Sequence, residues 1–191
     1  RWDNVGAMRN RGVEINVSAD VLRIKDFTWN VNANVSYNKN EITELYNGIT
    51  EYVASDTGRM VAVGHPLGEF YLNRYAGVNP TNGDALWYTK DGEITTEYNE
   101  SDKVMLGKTH EAPWQGGFGT TLSWQGFSLS AQFTWVADRW MLNNDRVFQE
   151  SNGLFSAYNQ SKRMLYDRWK KPGDVTDIPR YGVTPQLDSR F

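Results

Sequence analysis

Residues 27–38, F-T-W-N-V-N-A-N-V-S-Y-N, alternate without a miss. Phe27, Trp29, Val31, Ala33, Val35 and Tyr37 fall on one side, and Thr28, Asn30, Asn32, Asn34, Ser36 and Asn38 on the other. Successive side chains of a strand point to opposite faces, so this segment predicts a strand with one apolar face and one face of amides and hydroxyls. The bulky rings stand at the two ends of the apolar face, with Val, Ala and Val between them. A sandwich strand in water explains the alternation but gives no reason for rings at both ends. A strand crossing a bilayer does, because amphipathic rings favour the two water–hydrocarbon interfaces. A tilted crossing needs roughly 9–11 residues, which this segment supplies.

The pattern recurs. Val13, Ile15, Val17, Ala19 and Val21 alternate with Glu14, Asn16, Ser18 and Asp20, and a link at 22–26 joins them to the first segment, predicting an antiparallel hairpin. Residues 1–12, with glycines at 6 and 12, are expected to form a loop entering the strand. In a second hairpin, Trp114, Gly116, Phe118, Thr120, Leu122 and Trp124 share a face, Gln125-Gly126 turns, and Phe127, Leu129, Ala131, Phe133 and Trp135 return on it. Ser128, Ser130, Gln132 and Thr134 alternate with them, and no charge occurs between 114 and 135. The expected fold class is all-β: part of a large antiparallel transmembrane β-barrel, with membrane strands near 12–22, 27–38, 114–124 and 127–136. The segments 39–113 and 137–191 are long where the hairpin turns are short, the asymmetry of outer-membrane barrels, whose long loops are extracellular.

Turn signals at Asn47-Gly48, Pro80-Thr81-Asn82-Gly83 and Asp91-Gly92 punctuate the first long segment, and a small hairpin is expected around Lys90-Asp91-Gly92. That segment holds twelve Asp or Glu against six Lys or Arg. The second holds nine Lys or Arg against seven Asp or Glu. One short helix is expected near 158–169, capped by Asn159 or Ser156 and stopped by Lys171-Pro172-Gly173.

Composition excludes several classes. The 191 residues carry a formal charge of −3, which gives nucleic acid no attraction, and the absence of cysteine excludes disulfide frameworks and thiolate metal sites. No apolar run is long enough for a membrane helix. His65 and His110 stand alone, outside any zinc spacing, and His65 before Pro66 is expected to be structural. Asn79, Asn82, Asp84 and Asp91 lack the spacing and terminal Glu of a calcium loop, and no phosphate loop or G-x-S-x-G occurs. No cofactor and no metal are expected.

Three strings are more specific than periodicity. N-V-G-A-M-R-N-R-G-V-E-I at 4–15 resembles a segment entering a barrel strand in TonB-dependent transporters. V-G-H-P-L-G-E-F-Y-L-N-R-Y-A-G-V-N-P-T-N-G-D-A-L-W-Y at 63–88 is similar to a run of the SusC/RagA-like branch, as is R-W-K-K-P-G-D-V-T-D-I-P-R at 168–180. His65 stands where an acidic residue is common in that branch, and Asn82 where Thr is common. The resemblance implies a barrel fragment of an outer-membrane importer of oligosaccharides or peptides, multi-pass in the bacterial outer membrane, powered by the TonB complex and capped by a SusD-like lipoprotein. The plug domain and TonB box that it implies are expected to lie outside this sequence. No enzymatic activity is expected.

The residues sort into roles on that expectation. Ile15, Val17, Val31, Ala33, Val35, Leu129 and Phe133 are expected to face outer-membrane lipids. Glu14, Asn16, Asn30, Asn32, Asn34, Ser128, Ser130 and Gln132 are expected to face a wet lumen, although an ordinary solvated sheet face has the same chemistry. Among the loop aromatics Trp87, Tyr88, Trp140, Phe148, Phe155 and Tyr158, packing or lid contact explains any single ring most simply. Trp87, Tyr88 and Trp140 are the candidates for cargo contact. Two rivals make different demands. A soluble carbohydrate-binding β-sandwich would pack its apolar faces on each other. A β-rich glycosidase needs two converging carboxylates, and Glu14 and Asp20 lie too far apart along their strand, at about 3.3 Å per residue.

Overall fold

Alternation at period two is realised as long strands. The computed structural model describes residues 6–54, 59–155, 157–182 and 186–191. In chain order the strands are β1 (Gly6–Ile24), β2 (Phe27–Leu45), β3 (Glu51–Ala54), β4 (Arg59–Ala62), β5 (Glu69–Leu72) and β6 (Tyr75–Val78). They continue with β7 (Ala85–Tyr88), β8 (Ile94–Thr95), β9 (Val104–Thr109), β10 (Trp114–Trp124) and β11 (Phe127–Ala137). Two short helices follow, α1 (Asn144–Gln149) and α2 (Lys162–Tyr166). The described residues divide into two compact units. One holds the chain up to Tyr52 with Val61–Glu69 and Lys108–Trp140; the other holds Val53–Met60, Phe70–Gly107 and Met141–Phe191.

The first unit is built on one antiparallel sheet in the order β1-β2-β10-β11. The two hairpins lie side by side, and directly paired residues point the same way. Val17 therefore stands in a row with Ala33, Phe118 and Phe133, and Ile15 with Val35, Gly116 and Trp135. Toward the turns, Ala19, Val31, Thr120 and Ala131 form another row, then Leu22, Trp29, Leu122 and Leu129. The opposite face carries Asn16, Asn34, Gly117 and Thr134, then Ser18, Asn32, Gly119 and Gln132. The sandwich rival fails here: the apolar faces do not pack together but merge into one continuous surface.

Both strands of the first hairpin outrun their apolar pattern. The expected loop over 1–12 is, within its described part, the start of β1, and β2 runs on to Leu45. Arg9 pairs with Glu41, Asn10 with Asn40 and Arg11 with Lys39, so a ladder polar on both faces extends the ribbon without any hydrophobic alternation to announce it. Beyond it, Ile42 and Leu45 of β2 meet Val61 in a small buried cluster. The link at 22–26 is shorter than expected. A register shift between Asp20 and Leu22 leaves Val21 unpaired, brings Leu22 opposite Trp29 and carries β1 to Ile24. Lys25 then turns with φ 42. At the other turn Gln125 and Gly126 have φ 47 and 87, as a type I′ hairpin requires.

Glycines in β10 make room for side chains of β11. Gly116 stands opposite Trp135, and a Cβ there would lie 2.8 Å from the indole ring. Gly119 stands opposite Gln132, whose amide occupies the space a side chain would need. One polar residue stands in the apolar rows, and it has a partner. Thr120 Oγ1 accepts a hydrogen bond of 2.9 Å from Trp29 Nε1, so the indole N–H is satisfied without water. Thr120→Val removes that acceptor while keeping the branched shape. It is expected to cost about 1–2 kcal/mol in equilibrium unfolding of the full-length protein. Trp29→Phe in the same background is expected to erase the penalty.

Candidate functional site

The polar face of the sheet is the first candidate surface. Glu14, Asn16, Asn30, Asn32, Asn34, Ser128, Ser130 and Gln132 share it by register. Toward the turns its groups satisfy one another: Asn30 Nδ2 donates to Asp20 Oδ1 over 3.0 Å, Thr121 and Ser130 hydroxyls lie 2.9 Å apart, and those of Ser123 and Ser128 2.8 Å. Farther along, a concavity of about 390 Å³ is lined by Glu14, Asn16, Asn34, Gln115, Gln132 and Thr134 among others. The bare backbone at Gly117 deepens it. Its chemistry is one carboxylate among neutral donors and acceptors, suited to holding water or a neutral polar solute.

The apolar face is the second. Nothing in the described chain covers it: Val17 is 60% exposed, Leu129 67% and Phe127 77%. Ile15, Val17, Val31, Ala33, Val35, Leu129 and Phe133 lie within it. Phe27, Trp29, Trp124 and Phe127 stand at its turn end. At the far end Tyr37 leans on Trp114 with ring centroids 4.5 Å apart, and Trp135 stands one row nearer the centre. From Phe27 to Tyr37 the strand advances about 33 Å at about 3.3 Å per residue. At the tilt of barrel strands, about 45°, that is a height of about 23 Å, close to the apolar band of outer-membrane barrels, about 25 Å.

The second unit explains the string at 168–180 and the 70–88 part of the string at 63–88. β6, β7 and β8 form a small antiparallel sheet, and Trp87 lies under it, only 4% exposed. Its Nε1 donates to Asp188 Oδ2 over 2.9 Å, and its ring meets Tyr98 and Tyr75 edge-on at 5.6 and 6.4 Å. This corrects one of the contact candidates, because a ring enclosed in this way has no free face for cargo. Tyr88 is half-buried with the Arg74 guanidinium 5.3 Å over its ring. Phe148, Phe155 and Tyr158 cluster with centroids 5.0–6.3 Å apart, which is packing.

Residues 168–180 dock on residues 75–84. Trp169 Nε1 and the Gly173 N–H both donate to the Pro80 carbonyl, over 3.1 and 2.8 Å. The Arg180 N–H donates to the Gly83 carbonyl over 2.8 Å, and its Nε to Asp84 Oδ1 over 2.9 Å. Gly83 has φ 78 and the Trp169 ring lies against it, so neither its backbone nor its surroundings admit a side chain. Asn79 and Asn82 are turn-formers: Asn79 Oδ1 accepts from the Thr81 N–H, and Asn82 Oδ1 from the Asp84 N–H. Among the described residues no group of three or more His, Asp or Glu is placed to hold a metal.

The helices differ from expectation. Ser161, not Asn159, caps α2 by accepting from the Arg163 N–H; Ser156 lies outside the described residues. The helix ends at Tyr166 rather than continuing toward Trp169, because the Trp169 N–H is claimed by the Ile178 carbonyl. A further helix, α1, was not expected. Its Arg146 binds Glu150 over 2.9 Å and Asp177 over 3.1 Å, while Arg163 of α2 binds the same two carboxylates over 2.6 and 2.8 Å. These four side chains, spread over 32 positions of sequence, form an ion network that sequence reasoning missed.

In the first unit Trp140 is 44% exposed, its Nε1 on Asp138 Oδ1 at 3.1 Å and Lys108 Nζ 3.7 Å over its ring. His65 Nδ1 lies 2.9 Å from Oε2 of the buried Glu69, and the His110 ring packs on Gly68. Both histidines are thus engaged in loop structure.

Two carboxyls of the second unit are displaced in opposite directions. Burial pushes Asp188 up, with Arg190 and the Trp87 N–H opposing. Burial also acts to raise Asp177, but the hydrogen bond and charge of Arg163, with the charge of Arg146, outweigh it and hold it below its ordinary value of 3.8. A depressed folded value gives stability that is present above 3.8 and lost as pH falls through the folded value. Amides of α1 and α2 in the full-length protein are therefore expected to lose hydrogen-exchange protection on acidification below about 3.8. Asp177→Asn is expected to lower protection at neutral pH and flatten that acid dependence.

No family model matches the chain. Among curated proteins it is 27% identical over 162 residues to the TonB-dependent receptor P39 of Formosa agariphila, covering 85% of this chain and 14% of that protein. It is 31% identical over 119 residues to the TonB-dependent receptor SusC of Bacteroides thetaiotaomicron, covering 55% and 12%. Among solved structures, a chain of the RagAB peptide transporter matches all of this chain over 22% of its own length, with TM-score 0.92 and 34% identity. The RagAB peptide importer in its open-open state gives 0.89 and 35%, over 21% of its length. The chain thus spans between an eighth and a little over a fifth of these relatives. Over its whole length the chain is similar in sequence and in backbone to SusC/RagA-like TonB-dependent transporters, and its antiparallel sheet matches a stretch of their β-barrel.

Proposed function

We propose that this chain supplies barrel wall and surface loops to a TonB-dependent importer of oligosaccharides or peptides in the bacterial outer membrane. The observation that carries the reading is the four-stranded face of apolar side chains, uncovered and bounded by rings at both ends. A face of that kind is costly in water and favourable in hydrocarbon. Ile15, Val17, Val31, Ala33, Val35, Leu129 and Phe133 then face lipid, while Glu14, Asn16, Asn30, Asn32, Asn34, Ser128, Ser130 and Gln132 line the lumen. The two-residue turns at 25–26 and 125–126 lie on the periplasmic side, and the segments 39–113 and 137–191 on the extracellular side.

The TonB complex would energise transport through parts of the protein beyond this stretch, and a SusD-like lipoprotein would cover the loops. The relatives support the first: several are TonB-dependent receptors, and the solved ones are named as a peptide transporter and importer. Cargo recognition belongs to the loops, where an acidic first segment and a mildly basic second one favour neutral oligosaccharide or mixed-charge peptide. Tyr88 and Trp140 remain as contact candidates, and Trp87 serves the loop core instead.

Arg substitutions distinguish the two faces. In the full-length transporter, Ala33→Arg is expected to cost about 2–4 kcal/mol in unfolding from lipid, whereas Asn32→Arg, one residue away, should cost far less. Equal costs at both positions would contradict the assignment of faces.

A further inference from the structure

Beyond the row of Val13, Tyr37 and Trp114, the first hairpin keeps its facing. Arg11 pairs with Lys39, and Arg9 with Glu41, on the same side as Val13 and Ile15. Two of the three cations here share one carboxylate: Glu41 lies 3.4 Å from Arg9 Nη2 and 3.6 Å from Lys39 Nζ. The Arg11 side chain has no hydrogen bond or ion pair among the described residues, and it stands directly across from a like charge, an arrangement that is destabilising unless an anion is supplied. Lys39 and Arg9 are open to solvent, with side chains 63% and 45% exposed. The turn end is different, since Arg23 there has its own carboxylate, Asp20, at 2.8 Å.

We infer that Arg11 and Lys39, with Arg9 beside them, bind the phosphate of a lipid headgroup in the leaflet around the long-loop end. The inference rests on the membrane reading proposed above. Arg11 lies two residues past Val13, about 7 Å along the strand, or about 5 Å in height at a tilt of about 45°. Rings at Tyr37 and Trp114 mark the hydrocarbon edge, and the headgroup layer beyond it is about 5–7 Å deep on each side. The three cations therefore stand in the layer where lipid phosphates lie. The guanidinium fork matches two phosphate oxygens, and a second cation on the neighbouring strand completes the clamp. Phosphate binding also removes the repulsion between Arg11 and Lys39.

The test uses the full-length transporter in nanodiscs, with lipid A as probe and its dephosphorylated form as control. Wild type is expected to retain lipid A in native mass spectra in a salt-sensitive manner and to ignore the dephosphorylated form. The double variant Arg11→Gln/Lys39→Gln is expected to lower retention about twenty-five-fold, at about fivefold per charge. Arg11→Lys should lower it less, and Arg23→Gln at the turn end not at all. Equal retention by wild type and the double variant, with both inserted and equally heat-stable, overturns this inference and leaves the membrane reading standing. Displacement of lipid A by millimolar inorganic phosphate also overturns it, assigning the cluster to a soluble anion. Failure of the wild-type protein to insert at all overturns both.

Discussion

Cross-strand register is the constraint on which the rest of this structure depends. Because side chains alternate at a period of two, a slip of one residue anywhere would send an entire strand's apolar set to the polar face. Four strands avoid that together: Val17, Ala33, Phe118 and Phe133 form one row, and Ser18, Asn32, Gly119 and Gln132 the next on the opposite side. Local devices hold the register. A bulge at Val21 absorbs an out-of-phase residue before the turn. Trp135 and Gln132 fill the spaces left by Gly116 and Gly119, one on each face. Trp29 and Thr120 tie β2 to β10 inside the apolar surface.

The second unit is organised on a different principle. It has few buried apolar residues, among them Phe70, Leu72, Trp87, Met164 and Ile178, and it relies on directional bonds. Pro80 and Gly83 receive the 168–180 loop through backbone and indole donors, and Asp177 and Glu150 each bind two arginines. Such bonds lose their value when a single partner is removed, because the remaining buried group is left unsatisfied. The strings at 63–88 and 168–180 thus have a structural reason within this chain: much of each is the other's docking surface.

How much of this was legible beforehand follows from where the information lay. Residues 27–38 and 114–135 declared themselves, since an apolar face with ringed ends is written locally. The strand extensions at 6–12 and 38–45 did not, because Arg9, Asn10 and Arg11 face Glu41, Asn40 and Lys39 in a ladder that is polar on both sides. Trp87 looked like a surface ring because its partner, Asp188, is 101 residues away. The same distance effect hid the four-residue ion network, in which no two partners from different helices are close enough in sequence to suggest pairing. Two local signals were overlooked: Ser161 ahead of K-R-M-L-Y and Asn143 ahead of N-D-R-V-F-Q are ordinary N-caps.

The central claim is that the merged apolar face meets hydrocarbon, and the absence of cysteine from this stretch makes a direct measurement practical. Single cysteines at 30 to 35 in the full-length protein, spin-labelled and placed in bilayers, would be scanned for collision with oxygen, which concentrates in lipid, and with a water-soluble nickel chelate. The account predicts strict alternation: oxygen contact high and nickel contact low at 31, 33 and 35, reversed at 30, 32 and 34. Nickel contact at all six positions, or no alternation between them, would contradict it.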